Sequence, residues 1–163
     1  MSKINLKNYT KKSKSGFTLI ELLVVIGISA LILSATITTF SSMGDMQSLD
    51  KDIEVAESYL IKAKNQTVNA RSGIQYGVHF ASSTITLFNG TVYSAGSSTN
   101  SVYTLSNKSE ISSIGLSGQT RVYFERVTGE PSATGTITFR LKSRPTITKS
   151  LIIHATGLIE VTN

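Results

Sequence analysis

The chain has 163 residues, 40% of them hydrophobic, with 16 Lys and Arg against 10 Asp and Glu for a net charge of +6; this length holds one modest globular domain and leaves no room for a second core. With no Cys, disulfides, thiolate metal sites and thiol nucleophiles are excluded, and stability rests on packing. The charge does not describe a basic working surface, because Lys3, Lys7, Lys11, Lys12 and Lys14 carry five of the six excess charges and the chain beyond residue 16 is near neutral.

Residues 1–16 form a basic leader without an acid, which holds the N-terminus in the cytoplasm by the positive-inside tendency. From Phe17 to Phe40 no Lys, Arg, Asp or His occurs, and about 24 residues of helix reach roughly 36 Å, enough to span a bilayer core. Glu21 interrupts this run. An isolated carboxylate in hydrocarbon costs on the order of 2.5–3.5 kcal/mol by insertion scales, so Glu21 calls for a partner charge. Cutting between Gly16 and Phe17 supplies one: the new α-amine of Phe17 lies at i to Glu21 at i+4, within a subunit or between two. An ordinary secretory signal peptide also joins a basic region to an apolar one, but this run is too long, lacks a closing Ala-x-Ala and contains the acid.

After Phe40 the polar stretch Ser41-Ser42-Met43-Gly44-Asp45 predicts a bend or local melting, since Gly weakens a helix interior by about 1 kcal/mol. A helical stripe then follows at Leu49, Ile53, Ala56, Leu60, Ala63, Thr67 and Ala70, with Asp50, Asp52, Glu54, Glu57, Lys62 and Lys64 largely off it. Small residues on the stripe suit packing on a sheet better than a coiled-coil seam. Arg71-Ser72-Gly73 ends the helix.

From there the apolar period becomes two. Strands are expected at Gln75 to Phe80, Thr84 to Phe88, Val102 to Leu105, Glu110 to Leu116, Arg121 to Arg126, Thr136 to Leu141, Lys149 to His154 and Leu158 to Val161. Turn signals stand at Asn89-Gly90, Thr128-Gly129-Glu130-Pro131, Arg144-Pro145 and Thr156-Gly157, and Ser94 to Ser101 reads as a mobile surface loop. The implied organisation is a leader at 1–16, a helix over 17–72 whose 17–40 part is transmembrane, and an antiparallel β domain at 73–163. The fold class is α+β.

Residues for catalysis are scarce. His79 and His154 fall in strands with no nucleophile elbow or metal-ligand spacing beside them, and Glu125 and Glu130 flank a turn where acids are usually solvated. Neither an enzyme nor a bound cofactor or metal is expected. Beyond the leader, Asn-x-Ser/Thr patterns begin at Asn65, Asn89 and Asn107, a pattern common by chance. One basic group lies outside the leader, comprising Arg121, Arg126, Arg140, Lys142, Arg144 and Lys149. Within it Arg140, Lys142, Arg144 and Lys149 are candidate phosphate contacts, their rival reading being a basic edge that discourages strand-to-strand aggregation.

The junction Lys14-Ser15-Gly16-Phe17-Thr18-Leu19-Ile20-Glu21 resembles that of the type IV pilin and pseudopilin family. The resemblance implies that a prepilin peptidase cuts between Gly16 and Phe17 and methylates Phe17, and that Glu21 pairs with an N-terminus during assembly. The missing Cys departs from major pilins, many of which close a C-terminal loop with a disulfide. A looser likeness, carried by Tyr76 to Phe80, Leu87 to Gly90, Phe124 to Pro131, Gly135 to Thr138 and Ile152 to Val161, is to the H-type minor pseudopilins of type II secretion and the FimT-like minor pilins. It implies a long helix packed on a sandwich of two antiparallel sheets, in a single-pass inner-membrane precursor with its N-terminus cytoplasmic and its β domain periplasmic or otherwise extracytoplasmic. The implied partners are membrane lipid before assembly, other pilins in a helical filament, a platform membrane protein and an assembly ATPase. The expected function is a minor pseudopilin supporting protein secretion; the alternative is a FimT-like minor pilin for DNA uptake, adhesion or motility.

Overall fold

A computed structural model describes residues 16–70 and 73–162, with the backbone alone at 35–42. The chain separates into two compact units, Met1–Phe40 and Ser41–Asn163. One helix, α1, runs over Leu19–Asn69 and contributes to both. The boundary coincides with the end of the apolar run and lies well before the end of the helix. The leader expected at 1–16 lies outside the described residues except for Gly16.

In the first unit, α1 starts because Thr18 caps it: the Glu21 amide donates to Thr18 Oγ1 at 3.2 Å and the Leu22 amide to the Thr18 carbonyl at 3.1 Å. Thr18-Leu19-Ile20-Glu21 therefore has the Thr-x-x-Glu pattern of a capping box, with Glu21 at the third helical position. Phe17 and Gly16 precede the helix. The side chains described from Leu19 to Ser34 are all exposed.

In the second unit the helix does not melt at Ser41 to Asp45, contrary to the expectation from Gly44. Asp45 explains why a weak helix former is tolerated here, because it accepts from Lys108 Nζ at 2.8 Å and from Ser143 Oγ at 3.1 Å, tying this turn to the β region. Leu49, Ile53, Ala56, Leu60, Ala63 and Thr67 are buried, as the four-and-three spacing predicts. Thr67 also closes the helix end, taking the Tyr76 amide on Oγ1 at 2.8 Å. Beyond it Gly73 adopts φ +73°, a left-handed conformation that suits Gly after a helix.

Eight strands follow: β1 Tyr76–Phe80, β2 Thr84–Asn89, β3 Ser101–Thr104, β4 Ser109–Gly115, β5 Arg121–Tyr123, β6 Gly135–Leu141, β7 Thr148–Ile153 and β8 Ile159–Thr162. They form two antiparallel sheets of order β3-β2-β1-β5 and β4-β6-β7-β8. Every expected strand is present. The fifth stops at Tyr123 rather than Arg126, because the Ser132 amide and hydroxyl both bond the Tyr123 backbone, Phe124 bridges to Pro131, and Val127 and Gly129 turn the chain back with φ +72° and +69°.

Alternation along the strands sends Val78, Phe80, Ile85, Leu87, Ile137, Phe139, Leu141, Leu151 and Ile153 to one shared core with the buried stripe of α1. The architecture is thus α+β, a helix packed on two antiparallel sheets.

Candidate functional site

Gly16 and Phe17, the expected processing junction, are both open. Gly16 has no neighbouring atom within 4 Å of a built Cβ, Phe17 is 86% exposed, and both precede the first helical residue. Because Thr18 is the cap, Phe17 sits outside the helical turn that carries Glu21, so in the uncut chain the two do not stack as i and i+4. Among the described residues, Glu21 has no ion pair. It does have a place in the helix start that the sequence reading overlooked, although Thr18-x-x-Glu21 announces it. An acid in the first turn also faces the positive end of the helix dipole.

Leu19 to Ser34 exposes apolar side chains such as Leu19, Ile20, Leu22, Val25, Ile28 and Leu31 around the whole helix. A helix that is apolar on every side belongs in lipid or against other apolar helices. Among the described residues no helix is long and apolar enough to cross a membrane.

The basic residues do not gather. Arg140 lies on the face of β6 away from the core, where Nε and Nη2 both reach Glu110 Oε1 at 2.7 Å from the adjacent strand. Lys149 lies opposite Phe139 on β7, hence on the core-facing side, and pairs with Asp50 of α1 at 2.6 Å. These two cations therefore leave opposite faces of one sheet, each already paired. Lys142 is exposed in the turn after β6. Arg144 lies in the same turn, near Asp45, whose carboxyl is held below its usual range by the Lys108 hydrogen bond first and by the charges of Lys108 and Arg144 as well. Arg126 packs over Gly73, and Arg121 stands beside His79 on the outer face of the other sheet.

His79 stacks on Tyr93 with ring centroids 3.9 Å apart and planes within 6°. Burial, aided by the Arg121 charge, lowers its pKa. His154 Nε2 lies 3.0 Å from Glu160 Oε2. Glu125 accepts from Gln75 Nε2 at 3.1 Å. No cluster of His, Asp and Glu able to hold a metal occurs among the described residues.

The polar centre that sequence reading missed is Asp52. Expected off the stripe, it is 1% exposed. Its Oδ1 accepts from Tyr103 Oη at 2.7 Å, its Oδ2 from the Ser106 amide at 3.1 Å and from Ser109 Oγ. Position 52 falls beside Ile53, at the stripe's border, where the loop after β3 closes over the helix. The signal available was three donors, Tyr103, Ser106 and Ser109, packed into seven residues of sequence. Burial, reinforced by the Asp52 hydrogen bond, pushes the Tyr103 phenol up to about 12.

Residues 11–37 match the family model of the prokaryotic N-terminal methylation motif. No curated protein and no solved structure matches the chain. The match covers the Gly16-Phe17 junction, Glu21 and the apolar helix start, and stops short of the β domain. The chain therefore carries the signal of a type IV pilin-like precursor, which implies processing by prepilin peptidase and assembly with other pilins.

Proposed function

We propose that this chain is a minor pseudopilin of the H type, a structural subunit of a type II secretion pseudopilus and not an enzyme. The observation that carries the reading is an exposed Gly16-Phe17 junction directly ahead of a capped helix with apolar side chains on every face, within the segment that matches the methylation motif. Residues 17–40 anchor the precursor as a single pass in the inner membrane, with the leader cytoplasmic and the β domain outside. Cleavage then frees the Phe17 amine, which is methylated and meets Glu21 of a neighbouring subunit. Moving such a helix from lipid into a bundle of similar helices exchanges one apolar environment for another, so the charge pair sets the axial register more than the affinity. A platform membrane protein and a cytoplasmic ATPase supply the work of extraction, since this chain has no nucleotide-binding motif.

DNA uptake by a FimT-like minor pilin is the rival. The pairing of Arg140 with Glu110 and of Lys149 with Asp50 weighs against it.

N-terminal sequencing and intact mass of protein from the native host test the central claim. N-methylated Phe17 is the expected N-terminus, and Gly16→Leu should retain the leader and block assembly. An N-terminus near Ser41 would instead establish an ordinary signal peptide. Deletion strains scored for protein secretion and for DNA uptake separate the two systems.

A further inference from the structure

We propose that the free edge of β8, with the groove between β8 and α1, takes up an extended segment of a partner protein in which apolar residues alternate with Lys or Arg. β8 ends its sheet. The His154 amide donates to the Leu158 carbonyl at 2.9 Å, and Ile152 pairs with Glu160. Residues 158 and 160 therefore turn their backbone groups toward β7, and by antiparallel alternation those of Ile159 and Val161 point outward, unpaired, at the edge. A strand added there finds hydrogen-bond partners already aligned.

The groove beneath this edge distinguishes it from the other three. β4 is interrupted by a bulge between Ile111 and Ser113, and β5 has only 3 residues. The underside of β3 is closed by Tyr59 on Ser101 and by Tyr103 on Asp52. Beneath β8 two depressions of about 360 and 310 Å³ lie side by side, one between Ile61 to Asn65 of α1 and residues 156–159, the other between Asp50 to Glu57 and Val161. Ile61, Leu158 and Val161 remain 43%, 60% and 37% exposed around them. From Asp50 to Asn65 the helix wall extends about 22 Å, the reach of roughly seven extended residues.

Charge decides the class of occupant. Asp50 is taken by Lys149, and Lys64, which lines the first depression, is held by the Gly157 carbonyl at 2.9 Å, but Glu54 and Glu57, which line the second, have no ion pair among the described residues. Glu160 adds an acid on the opposite face of β8, beside His154. Alternate residues of an incoming strand face opposite sides, so its Lys or Arg turned toward α1 meet Glu54 and Glu57 while its apolar residues flank Leu158 on the other side, and an acidic strand is repelled.

The test uses the full-length mature chain in non-ionic detergent and a dye-labelled, capped nine-residue peptide of alternating Val and Lys. Anisotropy should show saturable binding, with amide exchange at Ile159 and Val161 slowed about tenfold or more. The matching peptide of alternating Val and Glu should bind at least about tenfold more weakly, and the Glu54→Lys/Glu57→Lys variant should reverse that preference. Val161→Pro removes an outward amide without touching the bonds to β7, and should abolish binding. Unchanged binding by Val161→Pro overturns the proposal, as does the absence of saturation below about 1 mM peptide. Self-association of the chain through β8 that excludes the peptide overturns it in favour of a second copy. Should Val161→Pro fail to fold, exchange at Ile159 and Val161 in the unaltered chain decides: no slowing by the peptide rejects the site.

Discussion

Glu21 has two physical reasons to stand where it does, and they predict different variants. As the third helical residue after Thr18 it gives its amide to the cap and holds the Glu position of the capping-box pattern, and its charge meets the helix dipole, worth about 0.3–1 kcal/mol in an exposed first turn. As the acid next to a processed N-terminus it supplies a charge for a neighbour. Glu21→Gln keeps the capping capacity and loses the charge, whereas Glu21→Val loses both. Each variant should insert into membrane at least as well as the unaltered chain, and filament yield should fall with both if the charge pair sets register. Wild-type assembly by Glu21→Gln, measured as sheared filament against membrane-retained subunit, would leave the cap as the whole account. Asp52 makes a second residue-scale case. Asp52→Ala leaves the buried Ser109 hydroxyl and the half-buried Tyr103 hydroxyl and Ser106 amide without their acceptor, and should lower stability by about 1–3 kcal/mol in urea unfolding, because a buried donor without an acceptor keeps its desolvation penalty. The raised phenol of Tyr103 fixes the sign of a pH effect. Its contribution is complete below the unfolded value of 10 and is lost as pH rises toward about 12, so an alkaline unfolding limb should appear in the unaltered chain and shrink in Tyr103→Phe.

Along the elements, what the sequence made legible follows from periodicity, and what it hid follows from contacts made at long range. The stripe from Leu49 to Thr67 and the alternation Ile137, Phe139, Leu141 are local patterns, and each is buried as its period demands. Asp52 was illegible because a helical period cannot see that the loop after β3 brings three donors over the stripe's border. Gly44 failed as a breaker for the same reason, since Lys108 and Ser143 reach Asp45 from more than sixty residues away. The spacing of Arg140, Lys142 and Arg144 suggested one basic face, yet the cross-strand acid Glu110 and the turn after β6 disperse them. The methylation-motif signal over residues 11–37 was readable because it depends on neighbouring residues alone. Two backbone positions give a paired prediction of opposite sign. A Cβ on Gly77 would lie 2.6 Å from Phe88 Cζ and 2.7 Å from the Val122 carbonyl oxygen, so Gly77→Ala should destabilise by about 1–3 kcal/mol through forced overpacking between β1, β2 and β5. Val127, a β-branched residue at φ +72° with its side chain in solvent, gains nothing from its identity, and Val127→Gly should stabilise by about 1 kcal/mol by relieving left-handed strain. Urea midpoints of the two variants check both signs; a destabilised Val127→Gly would mean that the Val side chain has contacts worth more than the strain.

At the scale of the whole molecule the charge distribution decides between assembly and nucleic-acid binding. Removal of residues 1–16 leaves eleven basic residues against ten acidic ones, too little net charge to steer a polyanion from a distance. The local arrangement adds little, because Arg140 and Lys149 must give up Glu110 and Asp50 before either meets a phosphate, and Lys142 with Arg144 forms the only adjacent pair of the four. A site of this kind neutralises about one phosphate, so the log-log dependence of DNA affinity on salt should have a slope near −1 in the mature chain. Four independent phosphate contacts would instead give a slope between about −3 and −4. Fluorescence anisotropy with a labelled duplex between about 50 and 200 mM salt measures the difference directly. Lys142→Ala/Arg144→Ala should flatten what dependence there is, and Arg140→Ala/Lys149→Ala should change it little while lowering stability, since each of those substitutions strands an acid. A slope near −3 that collapses in the quadruple Ala variant, with low-micromolar binding at physiological salt, would show that the ion pairs open on demand and would put DNA uptake ahead of secretion.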